Sequence, residues 1–204
     1  MNRAEVNTPH GPARAELHCA AESRAALLLG HGAGGGIDAP DLVAVTRAAT
    51  EVGVHVALVE QPYRVAGRRA PAPARQLDAA WLAVAETLAQ GWFDGLPLVF
   101  GGRSSGARVA CRTAADGFAV AVLCLAFPVH PPGRPERTRL PELAAVAVPT
   151  LVVQGERDPF GRPEPCHHRE VVMVPGGHSL SVAADTLTRP VGEWLGRVLR
   201  PLEV

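Results

Sequence analysis

In Gly102-Arg103-Ser104-Ser105-Gly106 a serine stands with a glycine two residues away on either side. A serine hydroxyl is a poor nucleophile until a base takes its proton and a carboxylate orients that base. The pattern suits a nucleophile held on a strained strand-to-helix turn, where glycines remove the side chains that would clash. Such a turn aims the next amide, that of Ser105, at the reacting centre from a helix N-terminus, where the helix dipole favours developing negative charge. The candidate base is His178, in Pro175-Gly176-Gly177-His178-Ser179. The candidate carboxylate is Asp158, in Gln154-Gly155-Glu156-Arg157-Asp158-Pro159, with Glu156 as its competitor. The turn-forming Asp-Pro step favours Asp158. Together these residues point to acyl transfer through Ser104. The blander alternatives are a glycine-rich turn with an N-capping serine and a loop histidine facing water.

These residues need elements to hold them. Short apolar runs at 25–29, 54–59, 98–100, 119–127, 150–153 and 171–174 read as strands buried on both faces. Between them, Leu77, Ala80, Trp81, Val84 and Leu88 recur on one face of a helix. Ala107, Ala110, Cys111 and Ala114 do so with small side chains that let a helix lie close to a sheet, and Gly117 is the expected left-handed cap at its end. Val191, Trp194, Leu195, Val198 and Leu199 mark a last amphipathic helix. Alternation of this kind predicts an α/β fold: a mostly parallel sheet of six or seven strands with helices on both faces and no large lid. Residues 25–204 read as one domain, and 1–24 as an N-terminal extension in which Arg14 to Ala20 forms an antiparallel edge strand. On this arrangement Ser104, Asp158 and His178 each follow a strand. Ligands in such sheets bind beyond the carboxyl ends of the strands, so the Pro- and Arg-rich loops 62–74 and 127–139 should rim the pocket.

The set Gly30-His31-Gly32-Ala33-Gly34-Gly35, Gly101 to Gly106, Gly155 to Asp158 and Gly177-His178 resembles the small, lidless α/β-hydrolases, in particular dienelactone-hydrolase-like proteins and their testis-expressed relatives. The likeness runs over about residues 25–200. Nucleophile, acid and histidine follow in that chain order in this fold. His31 precedes the serine, His55 lies in a strand, His10 and His18 are near the terminus, and His167 and His168 come before the last strand, so His178 fits best. The resemblance implies that the first glycine-rich loop supplies one oxyanion donor, the Ala33 amide, beside that of Ser105. Two departures stand out: Arg103 occupies a position often held by His in esterases, and dienelactone hydrolases use Cys where this chain has Ser104. The expected substrate is a small-molecule carboxylic ester or thioester. Tyr63, Phe127 and Phe160 are the expected pocket residues.

Two rival functions remain in view. Gly30, Gly32 and Gly35 also satisfy a dinucleotide-binding fingerprint, with Glu60 ending the next strand to hold a ribose. Against it, Ile37-Asp38-Ala39-Pro40 intervenes, so the helix should begin at Asp38 or Pro40, past the glycines. A non-catalytic scaffold on the same fold is the other rival. Composition narrows the classes further. All 20 positive charges are arginine and the net charge is zero, which speaks against nucleic acid or an anionic membrane as partner. The longest apolar run is too short to span a bilayer, and the polar N-terminus lacks a signal-peptide stretch. Cys19, Cys111, Cys124 and Cys166 are widely spaced, as suits a reduced, cytoplasmic setting. Cys166-His167-His168 has no second ligand group at a metal-binding spacing, so neither metal nor cofactor is expected.

Overall fold

The computed structural model describes residues 2–181 and 184–200; Met1, Val182, Ala183 and 201–204, the last residues of the expected 25–204 domain, lie outside the described residues. In chain order the elements are β1 (Asn2–Thr8), β2 (Gly11–His18), β3 (Ala25–Gly30), α1 (Pro40–Glu51), β4 (Val54–Glu60), α2 (Pro62–Val65), α3 (Ala74–Ala89), β5 (Leu98–Arg103), α4 (Ser105–Thr113), β6 (Ala121–Leu125), α5 (Leu140–Ala144), β7 (Thr150–Gly155), β8 (Arg169–Val174) and α6 (Ala184–Val198). They build the mostly parallel α/β sheet expected, in the order β1-β2-β4-β3-β5-β6-β7-β8. From β4 to β8 the strands are parallel; β2 runs antiparallel to β4, and β1 antiparallel to β2.

Among the described residues the sheet has eight strands where six or seven were expected. Residues 2–18 form a hairpin in register from Asn2↔Leu17 to Thr8↔Gly11, and β2 then pairs with β4 from Arg14↔Glu60 to His18↔Val56. The strand expected over 14–20 is therefore antiparallel but not at the edge, because β1 covers it. In β2, Ala13, Ala15 and Leu17 alternate inward, a period that can be read; β1 buries only Val6 and left almost no apolar pattern.

Both faces of the central strands are covered, so adjacent residues of one strand enter different cores. Leu28 packs with the buried stripe of α3 and the small face of α4, while Leu27 and Leu29 pack with Leu42 and Val45 of α1 and Val191, Trp194 and Leu195 of α6. The expected helix faces are thus the buried ones, and full burial of such an apolar side chain contributes about 1.5–3 kcal/mol. Gly117 has a different role from the one expected. The left-handed residue after α4 is Phe118 (φ 53°), and a Cβ on Gly117 would lie 2.5 Å from the Phe100 ring. Gly117 is needed for close approach, not for its φ. At the other end of the sheet, the loops after β3, β5, β7 and β8 emerge together.

Candidate active site

Ser104 joins β5 to α4 with φ 52° and ψ −105°. This conformation costs a residue with a Cβ about 1–3 kcal/mol, and only a surrounding that over-determines it keeps it populated. That surrounding is visible. The Ser104 amide donates to the Leu125 carbonyl at 2.9 Å. A Cβ on Gly102 would lie 2.5 Å from the Gly106 carbonyl carbon, and one on Gly106 would lie 2.5 Å from the Gly30 carbonyl oxygen. Backbone takes the space at both positions, so the two glycines allow α4 to start hard against β3 and β5.

The turn directs the Ser104 Oγ to within 2.8 Å of His178 Nε2, and His178 Nδ1 lies 2.8 Å from Asp158 Oδ2. A carboxylate at Nδ1 calls for a proton there, which leaves Nε2 to accept the serine hydroxyl. The Asp158 side chain is fully buried. Its Oδ1 accepts the Phe160 amide at 2.8 Å and its Oδ2 accepts Gln154 Nε2 at 2.8 Å. Glu156, the competing carboxylate, is exposed on the same loop. The edge of Phe160 packs on the imidazole of His178, with ring centres 4.3 Å apart.

A cleft of about 470 Å³ lies over these groups. Its walls include Gly32, Ala33 and Gly34 from the loop after β3, together with Ser104, Ser105 and His178. The Ser105 amide, in the first turn of α4, belongs to the group of helix N–H donors that find no partner inside the helix. Behind the glycine-rich loop, buried His31 holds it in place: Nδ1 donates to the Gly32 carbonyl at 2.8 Å, and Nε2 accepts the Gln61 amide at 3.2 Å. Burial lowers the pKa of His31, which keeps the ring neutral and able to accept at Nε2.

Of the three expected pocket residues, only Phe160 lines the cleft. Tyr63 is buried behind it, its hydroxyl donating to the Ala33 carbonyl at 2.9 Å, and burial pushes its pKa up to about 12. Phe127 is fully buried in the core, because it lies two residues past the end of β6, a strand covered on both faces, and only its carbonyl reaches the site, accepting Gln154 Nε2 at 3.2 Å.

Two supporting residues had no place in the sequence reading. Gln154 is a polar side chain that directly follows the apolar run Leu151, Val152 and Val153 in a fully buried strand, and that mismatch was the available signal. Asp41, fully buried at the start of α1, places Oδ2 3.0 Å from Nε of Arg103. Burial raises the Asp41 pKa, and the Arg103 charge opposes the rise. A dinucleotide finds little support here: α1 starts only at Pro40, and Gly32, Gly34 and Gly35 line the cleft of Ser104 instead of capping that helix. Among the described residues no group of three or more His, Cys, Asp or Glu is placed to hold a metal ion, and no helix is long and apolar enough to cross a membrane.

Comparison with known proteins agrees with this architecture. A lidless α/β serine hydrolase from Xanthomonas campestris superposes with a TM-score of 0.78 at 20% identity, over 98% of this chain and 95% of its own. An esterase from Pyrococcus furiosus gives 0.78 at 16% identity, over 96% and 90%. A dienelactone hydrolase from Anabaena variabilis gives 0.75 at 17% identity, over 98% of each chain. No curated protein sequence matches the chain. The sequence model of the alpha/beta hydrolase domain matches residues 23–185, most of the chain, and so this protein belongs to the α/β-hydrolase family.

Proposed function

We propose that the protein is a serine hydrolase that cleaves a small-molecule carboxylic ester or thioester through an acyl-enzyme on Ser104. His178 Nε2 takes the Ser104 proton as Oγ attacks the substrate carbonyl carbon. The amides of Ala33 and Ser105 then hold the oxyanion. As the intermediate collapses, the bond to the alcohol or thiol breaks and the imidazolium returns its proton to that leaving group. A water, deprotonated by the same nitrogen, attacks the acyl-serine and frees the acid. Asp158 keeps Nδ1 protonated throughout and stabilises the imidazolium. His31 and Tyr63 act as positioning residues, since they fix the loop that carries the Ala33 amide. The four cysteines are all free thiols, which suits a cytoplasmic setting.

The observation that carries this reading is the continuous line from a strained Ser104 through His178 to a buried Asp158, at 2.8 Å for each step. It is tested by fluorophosphonate labelling together with turnover of activated short-chain esters. Ser104→Ala should abolish the label and lower kcat by something on the order of a millionfold. A folded native protein that takes no label would favour the scaffold reading, and undiminished turnover by Ser104→Ala would remove the serine from the mechanism.

A further inference from the structure

The walls of the cleft over Ser104 carry charge of one sign. Arg103, Arg108 and Arg139 line it, and no aspartate or glutamate does. Two of these arginines are already matched by carboxylates outside the cleft. Arg103 faces Asp41 at 3.0 Å, and Arg108 donates through Nε to Glu142 at 2.8 Å. Glu142 is shared further, since Arg112 reaches it at 3.2 Å while also bonding Asp78. The guanidinium of Arg139 is different. Among the described residues no hydrogen bond or ion pair engages it, although it is only partly exposed. Burial, followed by the like charge of Arg108, presses its pKa down, and Glu142, which already serves Arg108 and Arg112, opposes this only in part.

The rim repeats this imbalance. Loops 62–74 and 127–139 together hold six arginines against one glutamate, in a chain whose net charge is zero. A cleft lined by one sign of charge concentrates ligands of the other. A planar guanidinium with free N–H donors is suited to bind a carboxylate or phosphate through paired hydrogen bonds.

We infer that the substrate of this site is an anion, an ester or thioester bearing a carboxylate or phosphate group that Arg139 receives while the reacting carbonyl sits at Ser104. This rests on the hydrolase reading above and adds the substrate class to it. The arginine selects the anionic substrate and holds its charged end; the bond cleaved is still the ester or thioester.

The first arm of the test compares 4-nitrophenyl hemisuccinate with 4-nitrophenyl butyrate, which has a methyl where the other has a carboxylate. The quantity read is the ratio of their kcat/KM values within one protein, which is independent of how much of each preparation is active. The native protein should favour the hemisuccinate by about tenfold or more, the loss expected when a charged hydrogen bond is missing. Arg139→Gln should bring the ratio to about unity, and Arg139→Lys to a value between. Equal turnover of both esters by the native protein, or an unchanged ratio in Arg139→Gln, overturns the inference and leaves the hydrolase reading standing.

The second arm needs no turnover. Succinate or inorganic phosphate should raise the Tm of Ser104→Ala, less so at high salt, and the effect should vanish in the double variant with Arg139→Gln; the anion that stabilises more names the group. No rise in Tm, or the same rise in both proteins, overturns the inference. A rise that depends on Arg139, in a native protein that hydrolyses neither ester, supports the anion site and sinks the hydrolase reading.

Discussion

Gln154→Leu tests whether the catalytic carboxylate proposed here depends on a residue that never meets substrate. The Gln154 amide nitrogen faces three acceptors: Asp158 Oδ2 at 2.8 Å, the Gly161 carbonyl at 2.9 Å and the Phe127 carbonyl at 3.2 Å. It has two protons for them, so the substitution removes one bond to a charged group, worth about 1.5–3 kcal/mol, and roughly one ordinary bond, about 1 kcal/mol. In return it removes the buried Gln154 Oε1, which has no partner; the relief is about 1 kcal/mol. Leucine keeps most of the volume, so no large cavity term enters. The net loss is about 1.5–3 kcal/mol, read as a lower urea midpoint, or as a Tm lower by roughly 3–12 °C for a chain of this size. Turnover should fall as well, because Asp158 is then free to shift and His178 loses its fixed orientation. The decisive measurement is a double-mutant cycle with Asp158→Asn, which removes the charge from the same bond. The two substitutions should couple by about 1 kcal/mol in stability. Additivity within about 0.3 kcal/mol, or a Gln154→Leu variant as stable as the native protein, would refute this account of how Asp158 is held.

Gly106→Ala should cost at least about 2 kcal/mol and slow fluorophosphonate labelling, because the added Cβ would meet the Gly30 carbonyl oxygen at 2.5 Å and separate α4 from β3; native-like urea unfolding and labelling would show that this packing does not hold the turn. His31 gives a pH dependence. Its folded pKa lies below the ordinary 6.5, so the unfolded chain binds the proton first, and the stability that neutral His31 contributes at higher pH is lost as pH falls from about 6.5 through the folded value. Urea midpoints between pH 7.5 and pH 5 should drop for the native protein and drop less for His31→Gln; parallel profiles would exclude His31 as the group responsible.

The sequence and the structure diverge where chemistry is carried by contacts instead of periodicity. Buried strands, the α3 stripe and the small face of α4 were legible because covering a sheet on both faces forces apolar runs, and packing a helix on it forces a 3.6-residue repeat. Ser104, Asp158 and His178 were legible as residues because each follows such a strand, so finding the strands located the loops. The supporting shell has no such rule. Asp41 and Gln61 are polar residues whose partners lie far along the chain, and Gln154 reaches Asp158 and Gly161 only through the fold of the loop between them, so no spacing encodes these contacts. Tyr63 and Phe127 mark the same limit from the other side: both sit in or beside rim loops, yet one turns inward to the Ala33 carbonyl and the other is buried in the core just past the end of β6. The hairpin was half legible, since β2 alternates and β1 hardly does.

That difference bears on the function itself. The residues that the spacing exposes are those that any acyl-transfer site of this type needs, so they support the proposed reaction and say nothing of the substrate. What distinguishes this cleft is the charge left after its ion pairs are matched. Arginine content alone could not reveal it, because 20 arginines are balanced by 20 acidic residues over the whole chain. Only the pairing does: Asp41 is taken by Arg103, and Glu142 and Asp78 are taken by Arg108 and Arg112. Among the described residues Arg139 is then the cation at the cleft wall that no carboxylate pairs directly. A site that leaves a partly buried guanidinium unpaired forgoes stability there, and an anionic substrate would return it on binding. Specificity of this kind is a property of the folded arrangement of charges, and for that reason it became readable only once the ion pairs were known.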